Sequence, residues 1–213
     1  MNFRAGQIGL VLLCWAGSAA AESSADRFAA QVAEKLGATA GATVADIGAG
    51  DGQYAIAMSK VVGLSGTVFA TELEEEDRND IQASADAAGA SNVQVRKAEF
   101  EGTGLPAASV DGIYLRRVYH HITAPEPFVK NLFETIRPGG RLLIVDFSPA
   151  WFLSLFPPEG IPQNRGGHGI VPSLVVEELQ GAGFKHVETI DEWDPDAWFN
   201  NDFGVVFERP APN

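Results

Sequence analysis

The chain has 213 residues, 46% hydrophobic and 20% charged, which fits one globular domain of moderate size and excludes a mostly disordered chain. Fifteen Lys and Arg against 28 Asp and Glu leave a formal charge of −13. Such a field repels phosphate backbones and anionic headgroups, so no nucleic-acid partner is expected. The single cysteine, Cys14, excludes an intrachain disulfide and a Cys-cluster zinc site, and no metal site is read from the sequence.

Residues 1–21 read MNFRAGQIGLVLLCWAGSAAA. Arg4 supplies a positive start, Ile8 to Trp15 an apolar core, and Ala19-Ala20-Ala21 a small-residue end. That is the three-part pattern of a secretory signal peptide, with cleavage expected between Ala21 and Glu22. The expected destination is the periplasm or the medium, with one domain over 22–213 and no integral membrane segment once the signal is removed. The apolar run is too short to span a bilayer. Leu12 and Leu13 before Cys14 do not suit a lipoprotein signal. The competing reading is a buried N-terminal helix, which would leave the chain in the cytoplasm. Nothing in the sequence specifies an oligomeric state.

After this segment, Ser23 or Ser24 caps a helix running to Leu36, with Phe28, Val32 and Leu36 on one face and Gly37 as the stop. Residues 43–47 form a short apolar strand, followed by a Gly-rich turn and a helix over about 53–62. Residues 65–72 (SGTVFATE) give a second strand, and Glu74, Glu75, Glu76 and Asp77 open the next helix, where the macrodipole favours them. Strands are expected at 92–97 and 110–115, then a helix with Pro125 and Pro127 near its start that ends near Ile136. Gly139-Gly140 leads into the most apolar strand, 141–147 (RLLIVDF). Ser173 is read as the cap of LVVEELQGAGF, and late strands follow near 186–192 and 203–208. Strands alternating with helices imply an α/β fold, a doubly wound parallel sheet covered on both faces. Residues 148–171, rich in Pro, Gly and aromatics, stand outside this pattern, and a loop of that length is expected to be either functional, on the acceptor side, or disordered.

VADIGAGDG, residues 44–52, lies where the first strand turns into a helix. Gly48 and Gly50 allow positive φ and let a ligand approach the backbone closely. A dinucleotide fold would present G-x-G-x-x-G for a pyrophosphate. Here the spacing is Asp46-x-Gly48-x-Gly50-x-Gly52, with Asp51 inside the turn, and carboxylates suit a cationic amine rather than a pyrophosphate. Glu72 ends the second strand, placed to accept ribose hydroxyls from a nucleoside lying across the strand ends. Its alternative is a solvated acid like Glu74 to Glu76.

With these residues the sequence resembles the class I S-adenosylmethionine-dependent methyltransferases. The resemblance runs from about 23 to 208 and rests on VADIGAGDG, the acid in VFATEL, residues 105–122 (LPAASVDGIYLRRVYHHI) and residues 132–147 (LFETIRPGGRLLIVDF). It implies a Rossmann-like, seven-stranded, mostly parallel sheet with an antiparallel last strand, and S-adenosylmethionine as cofactor. It assigns Asp46 and the Gly48–Gly50–Gly52 turn to the methionine end, Glu72 to the ribose and Glu99 to the adenine amino group. KAEFE departs from the usual family pattern at Glu99 and Phe100, where plain surface is the alternative.

Methyl transfer from a sulfonium needs an in-line nucleophile, positioning and dryness, and a base only if the acceptor must lose a proton. His120 and His121 are the candidate bases, with one of the two expected to be structural. Asp146 ends the fifth strand, where it orients an acceptor or caps the following loop. Arg116 and Arg117 are candidates for an acceptor carboxylate or phosphate, or are salt-bridged. Trp151, Phe152, Leu155 and Phe156 form an acceptor pocket, cover for the sheet or an interface, and RGGHG (165–169) reads as a hinge holding His168 near the same edge. The sequence reading is a methyltransferase acting on a small or medium-sized molecule. Its alternative is an exported, non-catalytic protein that keeps a nucleoside-binding fold.

Overall fold

The computed structural model describes residues 23–149, 169–194 and 202–212. The signal segment, the aromatic cluster Trp151, Phe152, Leu155 and Phe156, and His168 lie outside the described residues.

Helix α1 (Ser24–Leu36) starts and stops for local reasons. Ser23 Oγ accepts from the Asp26 amide, and Gly37 at φ 68° closes the helix, with Ala38 N–H donating to Ala33 O. Its apolar stripe, Phe28, Val32 and Leu36 among it, is buried. Strand β1 (Thr43–Ile47) then enters the turn to α2 (Gln53–Val62). Strand β2 (Thr67–Glu72), helix α3 (Glu75–Ala87) and strand β3 (Val93–Lys97) complete the first half. The second half holds β4 (Val110–Arg116), a single 3-10 turn (Tyr119–His121), α4 (Pro125–Thr135) and β5 (Ile136–Phe147). Helix α5 (Pro172–Gly181), β6 (Lys185–Ile190) and β7 (Asp202–Glu208) follow.

The seven strands form one sheet in the order β3-β2-β1-β4-β5-β7-β6. All pairs from β3 to β5 are parallel, and β7 runs antiparallel to both β5 and β6. The expected Rossmann-like sheet with a reversed last strand is therefore present. Two corrections concern boundaries. Ser173 does not cap α5: Val171 occupies the cap without a side-chain bond and Pro172 starts the helix, its missing N–H costing nothing there. Strand β5 begins at Ile136 rather than 141, so Gly139-Gly140 lies inside it, beside an irregularity in the pairing with β4.

Alternation along the strands divides the side chains between two cores. Val44, Tyr114, Leu143 and Val145 pack under α1, α2 and α3. Ala45, Ile113, Leu115, Leu142 and Ile144 pack under α4 and α5. By the same parity Asp46 and Arg116 belong to the first face, and Asp146 to the second. The order of strands reverses between β1 and β4, which opens a crevice at their carboxyl ends.

Candidate active site

The turn after β1 is built from three left-handed glycines, and each serves a different purpose. Gly48, Gly50 and Gly52 have φ of 74°, 57° and 77°. A Cβ on Gly48 would lie 2.5 Å from Val118 Cγ2, and one on Gly52 would lie 2.9 Å from Ile81 Cγ2. Those two glycines admit the protein's own packing. A Cβ on Gly50 would meet nothing within 4 Å, so Gly50 is the one that leaves its backbone open to a ligand.

Two acids flank this turn. The Gly50 N–H donates to Glu72 Oε1 at 2.8 Å, and the Leu73 N–H donates to Glu72 Oε2 at 3.2 Å. Each carboxylate oxygen keeps a lone pair for a further donor, which fits a pair of ribose hydroxyls. Asp46 is buried, and its Oδ2 accepts from the Tyr114 hydroxyl at 2.9 Å. Burial is the main cause that pushes the Asp46 carboxyl up to about 7. The Tyr114 bond and the Arg116 charge pull it down, while the charges of Glu72 and Asp51 push it up. Asp51 itself turns away: its carboxylate accepts from the Gln53 N–H and Nε2, each at 3.1 Å. It braces the start of α2.

A cleft of about 360 Å³ opens beside the turn, lined among others by Gly48, Glu72, Glu99, Phe100, Val118 and His121. Glu99 is exposed at its rim, where its backbone pairs with Gly102 in both directions. Phe100 stands 82% exposed beside it, an apolar ring left in water at the mouth of the cleft.

The two histidines differ in burial. His120 is buried, with Nδ1 2.7 Å from Asp146 Oδ1 and its backbone N–H donating to Asp146 Oδ2 at 3.0 Å. The Phe147 N–H also donates to Asp146, at 2.9 Å. Asp146 is fully buried, and by engaging His120 through both Nδ1 and the backbone N–H it fixes the orientation of that ring. His121 lines the cleft, its ring 4.0 Å from that of His120. Desolvation and the neighbouring His120 hold His121 below the ordinary histidine pKa, with Asp146 opposing.

The paired arginines part company as well. Arg117, at φ 54°, donates from Nε and Nη2 to Asp202 at 2.9–3.2 Å and is salt-bridged, not an acceptor ligand. Arg116 stacks on Tyr54 and Phe28. Sequence reasoning missed Tyr114, Tyr54 and Val118 as parts of the site. Tyr114 is the cross-strand partner of Asp46, and that register is not visible in either segment alone.

Among the described residues no group of three or more His, Cys, Asp or Glu could hold a metal ion. No helix among them is long and apolar enough to cross a membrane.

Residues 45–144 match a family described as "Methyltransferase domain". The chain is 29% identical over 119 residues to a ubiquinone/menaquinone biosynthesis C-methyltransferase UbiE of Hahella chejuensis, covering 54% of this chain and 47% of the relative. A protein of the same name from Pseudomonas putida is 28% identical over 116 residues, covering 54% and 45%. The chain thus spans a little under half the length of these curated relatives. Among solved structures, a SAM-dependent methyltransferase from Aquifex aeolicus superposes with a TM-score of 0.69 at 25% identity, over 88% of this chain and 94% of that one.

Proposed function

We propose that this chain, whose residues 45–144 carry a methyltransferase domain, moves the methyl group of S-adenosylmethionine to a small or medium-sized acceptor. The observation that carries the reading is the convergence of Asp46, the open Gly50 backbone and Glu72 at the β1–β2 edge. The domain match and the Aquifex structure support S-adenosylmethionine as the cofactor. These residues fit it: Glu72 would hold the ribose hydroxyls, Asp46 and the glycine turn the methionine end, and the cleft past Ala98 and Phe100 the adenine.

When bound, the cofactor supplies an electrophilic methyl group on a sulfonium and leaves as a thioether. The protein has to hold the acceptor in line, keep water out and take the proton that the acceptor loses. His121 suits that last task, because it lines the cleft and desolvation there favours its neutral, proton-accepting form. His120 stacks against it in an orientation held by Asp146, a positioning role. The acceptor is then a molecule with a removable proton on its nucleophilic atom: an acceptor X–H gives X–CH₃ while the proton passes to His121.

The N-terminal segment supports export, with the mature chain beginning at Glu22. Intact mass of the protein recovered from the expressing cell tests this, since loss of residues 1–21 is expected and retention contradicts it.

The test of function is transfer of labelled methyl from S-adenosylmethionine to a small-molecule extract. Wild-type protein should label a low-molecular-weight product, and Glu72→Ala should not. Equal labelling by both would remove Glu72 from the site. Tight cofactor binding without labelling of any fraction would favour the non-catalytic binding protein.

A further inference from the structure

Outside glycine, only Ala108 and Arg117 among the described residues have a positive φ. Arg117, at φ 54°, is the corner where the chain leaves β4 for the Tyr119–His121 turn. A Cβ makes this backbone unfavourable, whereas glycine, which the turn after β1 uses three times, would occupy it freely. An arginine stays in such a conformation only where its surroundings hold it, and outliers of this kind cluster at functional sites.

Arg117 is held from three sides. Its backbone N–H donates to Val145 O at 2.7 Å. Its Nε and Nη2 grip the Asp202 carboxylate at 2.9–3.2 Å, and its guanidinium carbon lies 5.7 Å from the Phe147 ring centroid. Asp202 is a fixed post. It opens β7 opposite Phe147, its side chain is 5% exposed, and its carbonyl accepts from the Trp193 N–H at 2.8 Å. A fork closed on a buried carboxylate sets the arginine more firmly than a surface ion pair would.

Two routes lead from this corner to His121. Along the backbone, Val118 packs on the Gly48 turn, and its carbonyl accepts from the His121 N–H at 2.9 Å. Through the rings, Phe147 meets His120 edge-on at 4.8 Å, and His120 lies 4.0 Å from His121. We infer that Arg117 and Asp202 are a positioning pair, which locks the left-handed corner so that the His121 ring lines the cleft. This rests on the reading of His121 as the base. Without the fork, the corner relaxes toward an ordinary φ and the ring leaves its place.

The test is a double-mutant cycle of Asp202→Asn and His121→Ala, read by labelled methyl transfer from S-adenosylmethionine to a small-molecule extract. Asp202→Asn keeps the size of the buried side chain but removes its charge. It should slow transfer about 10- to 100-fold, the effect of a displaced group, and leave cofactor affinity by calorimetry within about twofold. On the His121→Ala background the same change should alter the rate by less than about twofold, because no base is left to position. Equal slowing on both backgrounds, or full transfer by folded Asp202→Asn, overturns the inference. Adding Arg117→Gly to Asp202→Asn relieves the left-handed strain, so the melting point should recover while transfer stays slow. Recovery of both would make the pair purely structural and overturn it as well. NMR of the histidine rings reads the geometry without any acceptor. The His120 and His121 signals should move in Asp202→Asn while that of His186, out on β6, stays. Unmoved His121 signals overturn the positioning, whereas wild type that binds the cofactor but labels nothing overturns the base reading.

Discussion

The hydroxyl of Tyr114 donates to Asp46 Oδ2 at 2.9 Å across neighbouring strands, with both residues almost wholly buried. A carboxyl in this setting titrates close to 7, far above its usual 3.8, because burial outweighs the hydrogen bond. The group that faces the proposed ammonium is therefore part-protonated in the free protein at neutral pH. Removing the hydroxyl would push it higher still.

Cofactor affinity should accordingly depend on pH. An ammonium prefers the carboxylate form, so affinity should rise with pH up to about 7 and level off above it. Below that point binding should release a proton and weaken by about tenfold per pH unit. Calorimetry in buffers of different ionisation enthalpy reads the released proton directly. Tyr114→Phe should move the inflection upward, and a pH-independent affinity in wild type would contradict the role given to Asp46.

The same raised value sets a stability cost. Between about 4 and 7 the native state binds more protons at Asp46 than the unfolded chain does. The contribution of this group to stability therefore falls as pH rises through that window, and is flat above it. Asp46→Asn keeps an acceptor for Tyr114 without the charge. At pH 8 it should stabilise the ligand-free protein by at most about 4 kcal/mol, with little effect at pH 4. Thermal melts at the two pH values check this, and a lower melting point at pH 8 would contradict it.

The glycine turn predicts a split between stability and binding. Gly48→Ala drives a Cβ to 2.5 Å from Val118 and keeps a positive φ, so it should destabilise by about 2–4 kcal/mol. Gly50→Ala meets no atom, so only the left-handed backbone opposes it, at about 1–2 kcal/mol. Its new methyl instead fills the space left for ligand, and affinity should drop by more than tenfold. Denaturant titrations set against binding isotherms separate the two variants. Unchanged affinity in a folded Gly50→Ala would sink the assignment of that face.

Asp146 and His121 should behave as a structural and a chemical residue. Asp146→Ala leaves the His120 and Phe147 amides and His120 Nδ1 without their acceptor, at a cost of about 3–5 kcal/mol. His121→Ala trims an exposed side chain and should change stability by less than about 0.5 kcal/mol. It should leave cofactor affinity within about twofold and slow methyl transfer by about 10²–10⁴. Full turnover in a folded His121→Ala would end the proposal of a base there.

The parts of this fold legible in the sequence are those written locally. Ser23 and Gly37 bracket α1 with side-chain and left-handed caps, and the unbroken apolar runs in β4 and β5 announce strands buried on two faces. That Asp46, Gly50 and Glu72 lie together at the β1–β2 edge is legible too, because one strand-turn-helix unit and the next strand end place them. The roles of Tyr114, Asp202 and Tyr54 are not, since each depends on a partner 62 to 85 positions away. The division between His120 and His121 also required the structure: adjacency alone does not say which ring Asp146 will claim. Spacing alone also does not show that Asp51 braces α2 or that Gly52 makes room for Ile81.

The most direct measurement is calorimetric titration of the purified chain with S-adenosylmethionine and, separately, with S-adenosylhomocysteine. The site built from Asp46, Gly50 and Glu72 predicts one-to-one binding of about micromolar strength. It also predicts at least a tenfold loss in Glu72→Ala. A folded sample that gives no binding heat with either compound, and no thermal shift, would contradict the cofactor site at the β1–β2 edge.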